Sequence, residues 1–115
     1  MSVQVAPLLR GSATQSTAVD NAASTATLAA TEGVKRLILG VEAQFDVGVT
    51  AIVNLTLNVA ASEVKNWEWD FTNGPFIYNL PVALAGADSG AVSATVAASG
   101  AGGTTGYVTL FTATK

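Results

Sequence analysis

Two consecutive stretches decide the fold: Lys35-Arg-Leu-Ile-Leu-Gly-Val-Glu-Ala-Gln-Phe-Asp46 and Thr50-Ala-Ile-Val-Asn-Leu-Thr-Leu-Asn-Val59. In the first, Leu37, Leu39, Val41, Ala43 and Phe45 share one side, and Arg36, Glu42, Gln44 and Asp46 the other. In the second, Ala51, Val53, Leu55, Leu57 and Val59 alternate with Thr50, Asn54, Thr56 and Asn58. A period of two is the signature of a strand with one buried and one wet face. Gly48 lies between the two runs, and their short separation predicts a hairpin.

Working towards the C-terminus, Lys65–Thr72 sets Trp67, Trp69 and Phe71 against Glu68 and Asp70. Asn73-Gly74 follows, a dipeptide suited to the positive φ of a tight turn. Pro75 has no N–H for a ladder, so a partner strand is expected from Phe76, through Tyr78 and Leu80, to Pro81. Ala91–Ala98 reads as a thin strand with Val92, Ala94 and Val96 inward. The stretch Ser99–Gly106 reads as a glycine-rich loop, and Tyr107–Ala113 as a last strand with Val108 and Leu110 on one side.

Working towards the N-terminus, Ser24–Ala30 alternates Ala26, Leu28 and Ala30 with Thr25 and Thr27. Its threonines favour a strand over the competing helix from Ala18 to Thr31. Val3 and Val5 suggest a short strand ended by Pro7, and Gly11–Thr17 has the composition of a loop or arm. The predicted organisation is an N-terminal arm with a short strand over residues 1–21 and a β-sandwich domain over residues 22–115. The predicted fold is all-β: an antiparallel two-sheet sandwich, jelly-roll-like, of about seven to nine strands.

Composition narrows the function. The 115 residues include no His and no Cys, and only 11% are charged. Without imidazole or thiol the usual nucleophile–base pairs and zinc sites cannot be built, which points to a structural or binding module rather than an enzyme. No cofactor is implied, and no disulfide scaffold. The net charge is −3, with no basic cluster beyond Lys35 and Arg36, so a nucleic-acid partner is not expected. Met1-Ser-Val-Gln-Val has no basic region followed by an apolar run, so a secretory signal is not expected. Ala83–Gly103 carries Gly86 and Gly90 at helix-dimer spacing, but Asp88, Ser89, Ser93, Thr95 and Ser99 interrupt it, so no membrane span is expected. Mean hydropathy is nonetheless high for so small a domain, and apolar surface on that scale implies a partner: self-association or docking on a larger lattice.

The C-terminal half carries a recognisable order of segments. An aromatic strand is followed by Phe76-Ile-Tyr-Asn-Leu-Pro-Val-Ala-Leu-Ala-Gly86, then Gly90-Ala-Val-Ser-Ala-Thr-Val-Ala-Ala-Ser-Gly100, then Gly106-Tyr-Val-Thr-Leu-Phe111. Over about residues 34–115 this resembles the small β-sandwich virion proteins of tailed bacteriophages, of the capsid decoration or cement type and the fibre-associated type. The resemblance implies a non-enzymatic structural protein at the capsid surface of the virion. Its partners would be the major capsid protein or other virion subunits, and it would be a homo-oligomer, a trimer by preference. The family has no reactive residue to carry over. The arm supplies the candidate capsid- or neighbour-binding residues Val3, Gln4, Val5, Leu8, Leu9 and Arg10.

Several residue groups have a second reading. Trp67, Trp69 and Tyr78, with Phe71 and Phe76, could form an aromatic platform for a sugar ring, as in a carbohydrate- or receptor-binding module of a tail or fibre. Against this, these are the largest side chains available to a core otherwise built from Ala and Val. Glu68 and Asp70 stand roughly 7 Å apart on one strand face, a glycosidase-like separation that any amphipathic strand also offers. Asp46, Asp70 and Asp88 are the carboxylates a calcium site would draw on. Asn54-Leu-Thr56 fits a glycosylation sequon but reads as an ordinary polar strand face. The glycines at 100, 102, 103 and 106 lack a phosphate-loop frame. Lys35 and Arg36 read as a solvated strand start.

Overall fold

A computed structural model describes residues 11–16, 19–100 and 104–114 of the chain. The strands are β1 (Gly11–Gln15), β2 (Val19–Asp20), β3 (Ser24–Leu28), β4 (Arg36–Phe45) and β5 (Ile52–Val59), then β6 (Ser62–Asp70), β7 (Phe76–Ala85), β8 (Val92–Val96) and β9 (Thr105–Thr114). One sheet has the order β1-β9-β4-β7, with β2 also paired to β9; the other has the order β3-β8-β5-β6. Every pairing is antiparallel. With β1 and β2 counted as one broken strand, this is the eight-stranded, two-sheet order of a jelly roll. The all-β, jelly-roll-like sandwich expected from the alternation is the fold.

The core fills the space between the sheets as the period of two requires. Val53, Leu55 and Leu57 of β5, Val92, Ala94 and Val96 of β8, and Val108 and Leu110 of β9 are all buried. Their outward neighbours on β5 and β8, Asn54, Thr56, Ser93 and Thr95, are partly exposed. Ser24 begins the inward row of β3, and its hydroxyl donates to the Gly106 carbonyl at 2.8 Å, tying the two sheets together.

Four local expectations fail, each for an identifiable reason. First, β4 and β5 do not form a hairpin: β4 pairs with β7 and β9, and β5 with β6 and β8. In a jelly roll most connections cross between sheets, so sequence neighbours end up face to face. Second, Leu37 and Leu39 do not share the inner face with Val41; Ile38 does, fully buried. A bulge between Ile38 and Gly40 shifts the register and reverses the alternation. Gly40 is required there, because a Cβ would stand 2.8 Å from the Tyr78 carbonyl oxygen.

Third, Asn73-Gly74 does not close a hairpin. Phe71–Asn73 is a 3-10 turn, Gly74 takes φ 98°, and the chain passes from one sheet to the other. Strand β7 begins at Phe76 as expected but runs on through Pro81. The pairing with β4 skips from Asn79 to Leu84, so Pro81 sits in an irregularity of an edge strand, where its missing N–H costs no ladder bond. Fourth, Gly11–Gln15 is no loop: it pairs with β9 from Gly11↔Ala113 to Gln15↔Thr109. The second half of the expected arm is thus part of the sandwich. The candidate arm residues Val3, Gln4, Val5, Leu8, Leu9 and Arg10 lie outside the described residues, as does the strand expected at Val3.

No helix among the described residues is long and apolar enough to cross a membrane. The stretch from Ala83 contributes the end of β7 and all of β8.

Candidate functional site

β6 and β7 are consecutive in sequence and each is the edge strand of its own sheet, so together they form one flank of the sandwich. Trp67 and Trp69 stand opposite the buried Leu55 and Val53, which puts both indoles on the inner face of their sheet. Phe76 and Tyr78 stand opposite the buried Ala43 and Val41, on the inner face of the other sheet. The two rows meet across the flank as a seam of rings. Trp67 lies 5.4 Å from Phe76 and 5.3 Å from Tyr78 between centroids, and Trp69 lies 5.8 Å from Phe76.

Phe76 is buried, while Trp67, Trp69 and Tyr78 are half-buried against the core. The bodies of these rings close the core and their outer edges reach solvent. The polar tips separate the members. The Trp69 indole N–H donates to the Gly74 carbonyl at 2.9 Å and so braces the crossing between β6 and β7. Among the described residues neither the Trp67 N–H nor the Tyr78 hydroxyl has a hydrogen-bond partner, and neither atom is buried. Lys65, opposite Leu57 in the same inward row, continues the seam with an exposed ammonium.

The carboxylates do not assemble into chemistry. Glu68 is exposed on the opposite face of β6. Asp70 accepts the Thr72 N–H at 2.9 Å and caps the 3-10 turn. Hydrogen bonds from the Thr72 side chain and backbone hold its carboxyl below its ordinary value, which suits a cap and not a proton donor. Nor do the carboxylates that a calcium site would draw on converge. Asp88 stands 4.0 Å from Lys35 at the other end of the sandwich, and no cluster of three metal-binding side chains occurs among the described residues.

The remaining singled-out residues have structural roles. Asn54 donates to Asn66 and to the Trp67 carbonyl, holding the β5–β6 pair from its outer face. Arg36 donates to the Ala29 carbonyl at 3.0 Å and to the Thr31 hydroxyl at 3.1 Å, pinning the β3–β4 connection. The glycines at 102 and 103 lie outside the described residues, and Gly106 belongs to β9.

A concavity lies at the Asp70 end of the seam, a pocket of about 290 Å³ between the β4–β5 connection and the β6–β7 crossing. Phe45 and Phe71 meet edge to face in its wall, 4.9 Å apart at 86°, and the lining also includes Gln44, Asp46, Val47, Val49 and Pro75. Gly106 makes this arrangement possible, since a Cβ there would stand 2.9 Å from the Phe45 ring. Asp46 is fixed by a reciprocal pair with Thr105: its carboxylate accepts the Thr105 N–H at 2.8 Å, and its own N–H donates to the Thr105 carbonyl at 3.0 Å. Sequence reasoning missed this pocket, because Phe45 and Phe71 come from strands read only for their inward faces. The available signal was an aromatic residue three positions before a glycine, once at the end of β4 and once just after β6.

No family model matches the chain, and no curated protein does. Among solved structures, the chain is similar to the CBM36-1 domain of a multidomain xylanase from the hindgut metagenome of Trinervitermes trinervoides. The identity is 8% and the TM-score 0.47, over 90% of this chain and 95% of that one.

Proposed function

We propose that the protein is a non-catalytic binding module that recognises a carbohydrate along the β6–β7 seam. One observation carries this reading: Trp67 and Tyr78, from opposite sheets, lie 5.3 Å apart with their polar tips unpaired and open to solvent. A sugar offers an apolar ring face to stack on an aromatic side chain and hydroxyls to pair with the indole N–H, the phenol and the Lys65 ammonium. Both rings are held by the core behind them, so little side-chain entropy is lost on binding.

The test is a titration of tryptophan fluorescence with a panel of soluble polysaccharides and their oligomers. A saturable shift is expected with at least one glycan, with affinity falling at least about tenfold in Trp67→Ala, the loss of one stacked ring and its hydrogen bond. Ile77→Ala, on the outer face of β7, serves as the control and leaves affinity unchanged. A folded Trp67→Ala protein that binds like the parent would refute the seam as the site.

A second reading, a structural protein of a phage particle, is favoured by a different observation. β7 exposes Ile77 at 62% and Val82 at 80%, an apolar edge suited to docking on a subunit lattice. That reading predicts co-sedimentation of the chain with virions at a fixed copy ratio. Val82→Asp would abolish it and Trp67→Ala would not.

A further inference from the structure

The pocket walled by Phe45 and Phe71 has no part in the seam reading and carries an inference of its own. Its volume, about 290 Å³, lies at the small end of ligand pockets, room for a headgroup or a single side chain rather than a polymer. Its lining is mixed: Phe45, Phe71, Val47, Val49 and Pro75 supply the apolar part, and the Gln44 and Asp46 side chains with the backbone of Gly48 and Gly74 line the rest. The Asp46 carboxylate is held in place through one oxygen by the Thr105 N–H, which leaves the second oxygen to accept from another group.

Charge is distributed unevenly along the sandwich. Among the described residues the cations are Lys35, Arg36 and Lys65. Lys35 and Arg36 stand at the far end of β4, whose ten residues span roughly 30 Å before Asp46 is reached. Lys65 pairs with Leu57, five positions along the β5–β6 ladder from the Ile52–Asp70 pair, roughly 17 Å away. The pocket end therefore presents Asp46 and Asp70 with no described cation beside them. An aromatic wall with one anchored carboxylate at its rim complements an alkylated cation: the methyls pack on the rings, the charge faces both the ring quadrupole and the carboxylate, and no buried donor is left unpaired.

We infer that this pocket binds a methylated or alkyl ammonium group, through Phe45 and Phe71 at its apolar part and Asp46 at its charge. The same chemistry is offered by a free quaternary amine and by a methylated lysine of a partner chain.

The experiment is an amide-correlation NMR titration of the full chain with choline. A parallel titration uses 3,3-dimethyl-1-butanol, the neutral compound of the same shape. Saturable shifts of the Gly48 and Gly74 amides are expected with choline, with the alcohol at least about threefold weaker because it lacks the charge. Asp46→Asn keeps an oxygen to accept the Thr105 N–H, so the loop is retained; it should remove the preference for choline and leave the alcohol unaffected. A trimethyllysine peptide binding more tightly than choline would assign the site to a partner chain, and equal binding would assign it to a free amine. Equal shifts with choline and the alcohol, or no shift at Gly48 and Gly74 with either, would overturn the inference. The readout is independent of the glycan titration, since Trp67→Ala should leave it intact.

Discussion

At Ala60 and Ala61 the chain takes φ values of 49° and 67°, in the left-handed region that residues with a Cβ avoid. These two residues join β5 to β6, with Val59 paired to Ser62 across them, so the connection is a two-residue hairpin of the type that favours Asn-Gly. It is a direct hairpin between strands that are neighbours in one sheet, and the sequence gives no sign of it, because two alanines carry no turn signal. The strain is held in place by the ladder on either side. Ala61→Gly should relieve it and stabilise the fold by about 1 kcal/mol, after allowing for the extra freedom of glycine in the unfolded chain. Thermal unfolding should then move up by roughly 4 °C. An unchanged or lower midpoint would mean that the turn is not strained. The seam shows the same dependence on surroundings. Trp67 and Trp69 are identical in type and two positions apart, yet one indole braces Gly74 and the other has no hydrogen-bond partner among the described residues.

Among the elements, β1 departs furthest from what its composition suggests. Gly-Ser-Ala-Thr-Gln has no apolar alternation, yet it pairs along β9 through five positions. What holds it is the backbone ladder and its polar ends. The Ser12 and Thr112 hydroxyls meet at 3.3 Å, and Ser16 exchanges two bonds with Val108, donating its N–H at 2.9 Å and accepting at its hydroxyl at 3.0 Å. Removal of residues 1–16 would leave Val108 without either partner and open the edge of β9, an interior strand of that sheet. We expect a loss of roughly 2–4 kcal/mol in urea unfolding and a rise in self-association by size exclusion, as follows from buried groups left unpaired and a bare edge. An unchanged midpoint would make the segment an appendage, as its composition reads. On the opposite flank the edges are protected differently. The register of β6 shifts between its partners Leu57 and Asn58, and β7 carries Pro81 where its pairing with β4 breaks. Both irregularities discourage another strand from adding there and leave the seam between them accessible.

At the scale of the whole molecule, alternation along β5, β8 and β9 was enough to name the inward residues, because a strand's two faces are fixed by its own geometry wherever the pleat is unbroken. The same alternation gave the all-β sandwich, and the absence of His and Cys excluded sites built on imidazole or thiol. The aromatic residues of β6 and β7 could likewise be read as one group, since one short turn separates them. Which strands pair could not be read, because pairing in a jelly roll joins segments far apart in the chain and leaves β4 and β5, neighbours in sequence, on different sheets. The bulge that turned Ile38 inward depends on how β4 meets β7 and β9, so it is invisible in β4 alone. Whether a tryptophan belongs to the core or to a surface depends on whether its strand is central or at an edge, and only the tertiary structure decided that. The Phe45–Phe71 pocket exists because two sheets bring the ends of β4 and β6 together, with Gly106 of a third strand leaving room for the ring. Local sequence determines what each segment can bury; the meeting of segments determines what remains open for a ligand.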